Sequence, residues 1–265
     1  MKTSILNDLH IDFYKIPNRQ RKDKRLRVLK MIYSEVLDSS LDVPVLIVAG
    51  DLGHNTKEAL EVLEDIAEIF NYQKVFAVLG NHDLYRSKHY STGARLLEYE
   101  LYDDPKGIVH IMFGDTIEYE GVTFGGTMGW YYSKDYLQGW SDEGRLRLWK
   151  NRMNDAHYID GLRNPDDLFF AEYDKLRELV KSCDVLITHV VPSIDPKITE
   201  RNFPGEDTNA FYCYDGSTLL KGNSLKCVVY GHNHDSLDIT LDGTRFITNA
   251  MGYPGEKAYR LTVEV

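Results

Sequence analysis

Five short polar blocks stand directly after apolar runs in this chain. They are Asp8-Leu9-His10, Gly50-Asp51, Gly80-Asn81-His82-Asp83, His189 and Gly231-His232-Asn233-His234. Six of the nine histidines lie in or beside them, His54 included. Carboxylate, carboxamide oxygen and neutral imidazole are donors suited to borderline-to-hard divalent cations, and no thiolate belongs to the set. Mn²⁺ is the first choice, with Fe²⁺, Zn²⁺ or Ni²⁺ also compatible. Each block alone has an ordinary reading. A histidine that ends a strand is usually a hydrogen-bonded structural residue, and Gly-Asn-His-Asp is rich in turn formers. The recurrence of five such blocks, each after an apolar run, is what points to a metal centre.

The runs themselves predict how the blocks are positioned. Thr3–Leu6, Val43–Val48 and Lys74–Leu79 read as strands. Between them, Arg25–Leu37 and Thr56–Phe70 carry apolar residues at helical spacing, with Asn55 as an N-cap. This βαβαβ order predicts a parallel sheet covered by helices. The carboxyl ends of such strands share one edge, where open α/β sheets build their ligand sites. Past Pro105 the expected strands are Ile108–Phe113, Thr116–Tyr119, Val122–Phe124, Asp184–Thr188 and Cys227–Tyr230, with a helix at Asp167–Val180. A closing meander is expected over Leu237–Leu241, Arg245–Thr248 and Tyr259–Val263, its first turn at Asp242-Gly243. The fold class is therefore α/β, a single domain over residues 1–265 in which two sheets meet. Two irregular stretches interrupt this pattern. Residues 128–163 hold Trp130, Tyr131, Tyr132, Tyr136, Trp140 and Trp149, either as packing or as an aromatic lid. Residues 192–214 are a candidate substrate loop.

Composition narrows the function. A net charge of −10 works against a general polyanion binder. The basic stretch Lys15–Lys30 runs the other way, and it reads as the solvated face of a helix or as a docking patch for nucleic acid. No run approaches the roughly 20 apolar residues of a membrane span. No secretory leader is evident, and Cys183 and Cys227 look like small core residues, so the expected address is cytoplasmic.

In order and over almost the whole chain, the five blocks resemble the motifs of the calcineurin-like metallophosphoesterases. The resemblance implies two packed β-sheets flanked by helices and two divalent metal ions. One ion would be held by Asp8, His10, Asp51 and His234. The other would be held by Asp51, Asn81, His189 and His232, with the Asp51 carboxylate bridging. Gly126-Thr127-Met128-Gly129-Trp130, Met153-Asn154-Asp155, Thr188-His189 and Asn249-x-x-Gly252-Tyr253-Pro254-Gly255-Glu256 look like a bacterial and phage-type branch of the family. Met251 stands where that branch commonly has Arg.

The chemistry that follows is hydrolysis of a phosphoester. Two cations about 3.5–4 Å apart clamp phosphate oxygens and activate a shared water, so no protein nucleophile is needed. His82 is left without a metal and suits a general acid, with Asp83 expected to fix its tautomer. His54 lies three residues past Asp51, a spacing that in nuclease members of the family brings a histidine to the phosphate. The expected substrate is a small phosphomonoester or phosphodiester such as a nucleotide. A nuclease or protein phosphatase is the alternative, and a non-catalytic scaffold of the same fold is disfavoured by the complete ligand set.

Overall fold

The apolar runs become two sheets that face one another. The computed structural model describes residues 1–39, 42–256 and 258–265, and of Arg19 the backbone alone. The first sheet contains β1 (Lys2–Leu6), β2 (Val45–Ala49), β3 (Lys74–Val78) and β4 (Val109–Ile111), all parallel. The second contains β5 (Asp115–Tyr119), β6 (Val122–Gly126), β7 (Val185–Ile187), β8 (Cys227–Val229), β9 (Ser236–Leu241) and β10 (Thr244–Asn249), in the order β5-β6-β7-β8-β10-β9.

Strand residues alternate between two destinations, which is why β2 and β7 are apolar throughout. Val45, Ile47, Phe76 and Val78 meet Phe124, Val185, Ile187, Val229 and Ile247 between the sheets. Leu46, Val48, Val75 and Ala77 turn outward, under helices α1 (Lys22–Tyr33), α2 (Thr56–Phe70) and α3 (Thr92–Glu100). On the far side Leu186, Val228 and Phe246 pack beneath the helix Phe169–Leu179 and the aromatic stretch around Trp130. The expected α/β architecture, two packed sheets flanked by helices, is the one observed. All three cysteines are free and buried. Among the described residues no helix is long and apolar enough to cross a membrane.

Two expectations are corrected. The chain does not close as a meander, because β11 (Thr262–Glu264) leaves β10 and pairs antiparallel with β1, Thr3 opposite Val263. β10 has no free edge to offer: β8 takes one side and β9 the other. The basic stretch is also not uniformly solvated. Arg25 is 2% exposed, donating to Glu61 at 2.8 Å and pairing with Asp65 at 2.5 Å. With Leu29 and Tyr33 it forms the buried stripe of α1, and the stretch fastens α1 to α2 there.

Removing one partner of a buried ion pair strands the other charges, at a typical loss of about 3–5 kcal/mol. Glu61 and Asp65 keep some solvent, so Arg25→Gln is expected near the lower end, about 3 kcal/mol. Urea denaturation checks this, and a loss below about 1 kcal/mol would count against a structural role for Arg25.

Candidate metal centre

All five blocks lie at the carboxyl ends of β1, β2, β3, β7 and β8, where the parallel strands of the two sheets end together. Asp8, His10, Asp51 and His234 each turn a donor atom into one group, with all these atoms within 4.8 Å of one another. Asp51, His189 and His232 form a second group on the same measure. The Asn81 Oδ1 joins the second, 3.2 Å from His189 Nε2. Every residue proposed as a ligand is therefore brought into one place, and all but His234 are buried.

The backbone is bent sharply to achieve this. Asp8, His10, Asp51, His232 and His234 all have positive φ, between 42° and 74°. Non-glycine residues occupy this region at a cost that surrounding structure must repay. Glycines give the room. A Cβ on Gly80 would overlap Asp51 Oδ1, one on Gly50 would overlap the His189 ring, and one on Gly231 would overlap the Ala49 carbonyl. The glycines of the motifs are thus spaces into which ligands fit.

The outer hydrogen bonds decide which ring nitrogen faces inward. His189 Nδ1 lies 2.9 Å from the Ala49 carbonyl, His232 Nε2 3.0 Å from the Phe211 carbonyl, and His234 Nδ1 2.8 Å from the Glu256 carboxylate. Each partner only accepts, so the proton sits on the outer nitrogen and a lone pair points inward. Burial pushes the His10 pKa down to about 3 and that of His232 to about 4, so both rings are neutral. Burial, aided by Asp8 and Asp83, pushes the Asp51 carboxyl well above its ordinary range. Among the described residues neither Asp8 nor Asp51 pairs with a lysine or arginine. Inward lone pairs crowded on buried carboxylates repel one another unless a cation lies between them. The donor set fits divalent metal.

His82 stands beside this group, its Nε2 4.0 Å from Asp51 Oδ2. Its partner differs from the one expected. Asp83 does not touch the ring. Its carboxylate accepts from the N–H groups of Leu52, Gly53 and Gly80 at 2.8–3.1 Å and from the Tyr99 hydroxyl at 3.1 Å. A buried carboxylate is satisfied first by the nearest fixed donors, and here these are loop amides. Asp83 therefore ties together the loops after β2 and β3. The His82 ring instead meets His54, Nδ1 to Nε2 at 3.0 Å, and His54 Nδ1 reaches Asp12 at 3.2 Å.

Four supporting residues escaped the sequence reading in these roles. Asn7 donates to Asp8, Asp12 supports His54, Asp155 holds Asn81, and Glu256 holds His234. Asn7 and Asp12 lie within two residues of a ligand, which was the available clue. Residues 128–163 divide between Trp130, Tyr131 and Trp149 in the interior, Trp140 at 40% exposure, and Arg152, Met153 and Asn154 on the cleft wall. From residues 192–214, Asn202, Phe203 and Tyr212 line the same cleft. His89 is exposed, and His110 and His157 bond to backbone carbonyls away from the site.

Paired sheets with a histidine and carboxylate centre at their strand ends define a metallophosphoesterase. The chain belongs to the calcineurin-like phosphoesterase family, whose sequence model matches residues 1–236, and it is a phosphoesterase enzyme. No curated protein matches it. Among solved structures it is similar to the phosphopantetheinyl hydrolase of Mycobacterium tuberculosis, at 20% identity and a TM-score of 0.70, covering 96% of this chain and 90% of that one. A looser likeness, 16% identity and a TM-score of 0.49 over 94% and 87% of the two chains, is to a dimetal phosphatase from Danio rerio.

The fit around Gly80 gives a direct test. Gly80→Ala drives a methyl into the Asp51 carboxylate and backbone, and overpacking of this kind typically costs about 1–3 kcal/mol. The variant is expected to melt lower and to retain less metal than the wild type, as read by thermal denaturation and elemental analysis. Normal metal content would contradict the assigned position of Asp51.

Proposed function

We propose that this phosphoesterase uses two divalent cations, shared by Asp51, to hydrolyse a small phosphoester. The observation that carries the reading is the placement of the Asp51 carboxylate. Its Oδ1 lies 3.4 Å from His189 Nε2 and its Oδ2 3.6 Å from His10 Nε2, so each oxygen faces one ligand group. Bound there, the cations supply Lewis acidity to a phosphoryl oxygen and to the attacking water. Asp8, His10 and His234 hold one, Asn81, His189 and His232 the other, and Mn²⁺ suits this donor set.

The chain's own groups do the rest. His82, at the cleft wall, gives a proton to the leaving oxygen in this reading. Burial and the neighbouring histidines hold its pKa well below 6.5, so the ring is neutral at rest. An anionic phosphate beside it favours the imidazolium. His54 and Asp12 hold the ring from behind, and His54, outside the cleft lining, acts through His82.

The cleft supports a small substrate. It encloses about 430 Å³, with Tyr85, Phe203, Tyr212 and Tyr253 as its aromatic walls and Arg152 as the single cation among its lining residues. This is the scale of a nucleotide-sized ligand rather than a charged track for a polymer. Lys22 and Arg25 of the basic stretch line a separate cleft with Glu61, Glu64, Asp65 and Glu68. That placement favours the small-ester reading over a nuclease. The buried free thiols suit a reducing, cytoplasmic setting. Mononucleotides, cyclic nucleotides and a phosphopantetheinyl ester form the natural test panel with Mn²⁺.

Two outcomes are expected. Asp51→Asn removes the shared charge from both groups, so elemental analysis should find metal lost from both sites. Retention of one full equivalent would sink the bridging role. His82→Asn should lose about 10²–10⁴-fold on a ribose ester, whose alkoxide must be protonated. The same variant should lose far less on p-nitrophenyl phosphate and keep its metal. Equal losses on both substrates would mean that His82 stabilises charge instead of donating a proton.

A further inference from the structure

An asparagine ligand carries an ambiguity that a carboxylate does not. Its oxygen and nitrogen are nearly the same size, and only the oxygen binds a cation. Asn81 meets this problem in a buried position, and what resolves it lies 74 residues along the chain. Its Nδ2 donates to Asp155 Oδ1 at 2.7 Å and lies 3.1 Å from the Tyr85 hydroxyl. Asp155 is 0% exposed. It also accepts from Tyr85 at 2.6 Å and, on its other oxygen, from Tyr131 at 2.8 Å. Trp149 Nε1 in turn donates to the Tyr131 hydroxyl at 2.8 Å.

We infer that Asp155 is a positioning residue that locks the Asn81 carboxamide with its oxygen turned toward the metal group, and that Tyr85 and Tyr131 hold Asp155 for that task. The inference rests on the proposed role of Asn81 as a ligand. A carboxylate accepts and never donates when ionised, so it tolerates the amide in one orientation only. Flipping Asn81 would set its oxygen against the Asp155 oxygen and turn an NH₂ group toward the cation. The two tyrosines remain donors. Burial, and then Asp155 itself, push both hydroxyl pKa values up. No lysine or arginine pairs with Asp155 among the described residues, so the carboxylate is balanced by directed donors alone. The buried part of the 128–163 stretch thereby acquires a purpose beyond packing, since Tyr131, Trp149 and Asp155 form one relay ending at Asn81.

A test follows from exchanging the two side chains. In Asp155→Asn the new amide both donates and accepts, so either orientation of Asn81 is equally well bonded. Outer partners of metal ligands typically contribute about 10–100-fold in affinity. Titrating metal-free protein with Mn²⁺ by calorimetry should show one of two sites weakened about tenfold, at the low end of that range, and the other within about threefold. Asn81→Asp alone sets two carboxylates together and should also be impaired. The reciprocal double variant, Asn81→Asp with Asp155→Asn, again pairs a donor with a carboxylate and should recover most of the lost affinity. Tyr131→Phe, nearly isosteric, should weaken the same site by a smaller factor, and it serves if Asp155→Asn fails to fold. Unchanged Mn²⁺ binding in Asp155→Asn, or equal loss at both sites with no recovery in the double variant, would overturn the inference. Asn81→Ala separates the two levels: if it leaves both sites intact, Asn81 is no ligand and the underlying assignment fails first.

Discussion

Like meets like at the carboxyl ends of β1 and β2. Asp8 and Asp51 are buried side by side, and His189 and His234 aim lone pairs at them from 3.4 and 3.7 Å. Such a cluster is unfavourable in a protein interior, where charge is normally paired. It persists because each member is fixed from outside. His232 N–H donates to Asp8 and His82 N–H to Asp51, while backbone carbonyls hold the outer nitrogens of His189 and His232. The positive φ values of five ligands and the missing side chains at Gly50, Gly80 and Gly231 are consequences of the same demand. Both sheets exist on either side of it, each contributing strand ends.

That demand also explains how much could be read from the residues alone. The βαβαβ half was legible because β2, and β3 past Lys74, are buried on both faces and so are apolar without interruption. Helix α2 was legible to its boundaries, since Asn55 caps it by accepting from Glu58 N–H and its apolar spacing is unbroken. The candidate ligands were legible as a group because each lies within five residues of a strand's end, and strand ends converge in this topology. Contacts between distant segments were not. Helix α3 was missed, yet it supplies Tyr99 to Asp83 and Arg95 to the Gly53 and His82 carbonyls. Only Thr92, Arg95 and Tyr99 of that helix are buried, too thin an apolar stripe to declare itself. The partnership of Asp155 with Asn81 was illegible for the same reason. Asp83 misled because adjacency in sequence is a poor guide to where a carboxylate finds its donors.

The loops after β2 and β3 show how this design separates stability from chemistry. Asp83, Arg95 and Tyr99 are all buried: Asp83 accepts from loop amides, Arg95 donates to loop carbonyls, and Tyr99 donates to Asp83. His82, between them, is left to line the cleft, with His54 against its ring. A scaffold that had lost its activity would have no need to keep two imidazoles in contact at 3.0 Å beside an intact ligand group. Retaining both the donors and their supports makes sense for a catalyst.

The two ligand groups are nevertheless held in different ways. His189 and His232 lean on main-chain carbonyls, and Asn81 on a fully buried carboxylate, so this half is part of the core. His234 leans on Glu256, whose side chain is 44% exposed at the cleft mouth, and Gly252 lacks the Cβ that would collide with that carboxylate. His10 has no outer partner for its Nδ1 among the described residues. Main-chain carbonyls cannot rotate away, whereas a half-exposed glutamate can exchange its histidine for water. The second group is therefore the more firmly anchored of the two. The first opens onto the cleft through His234 and rests there on a side chain that solvent reaches.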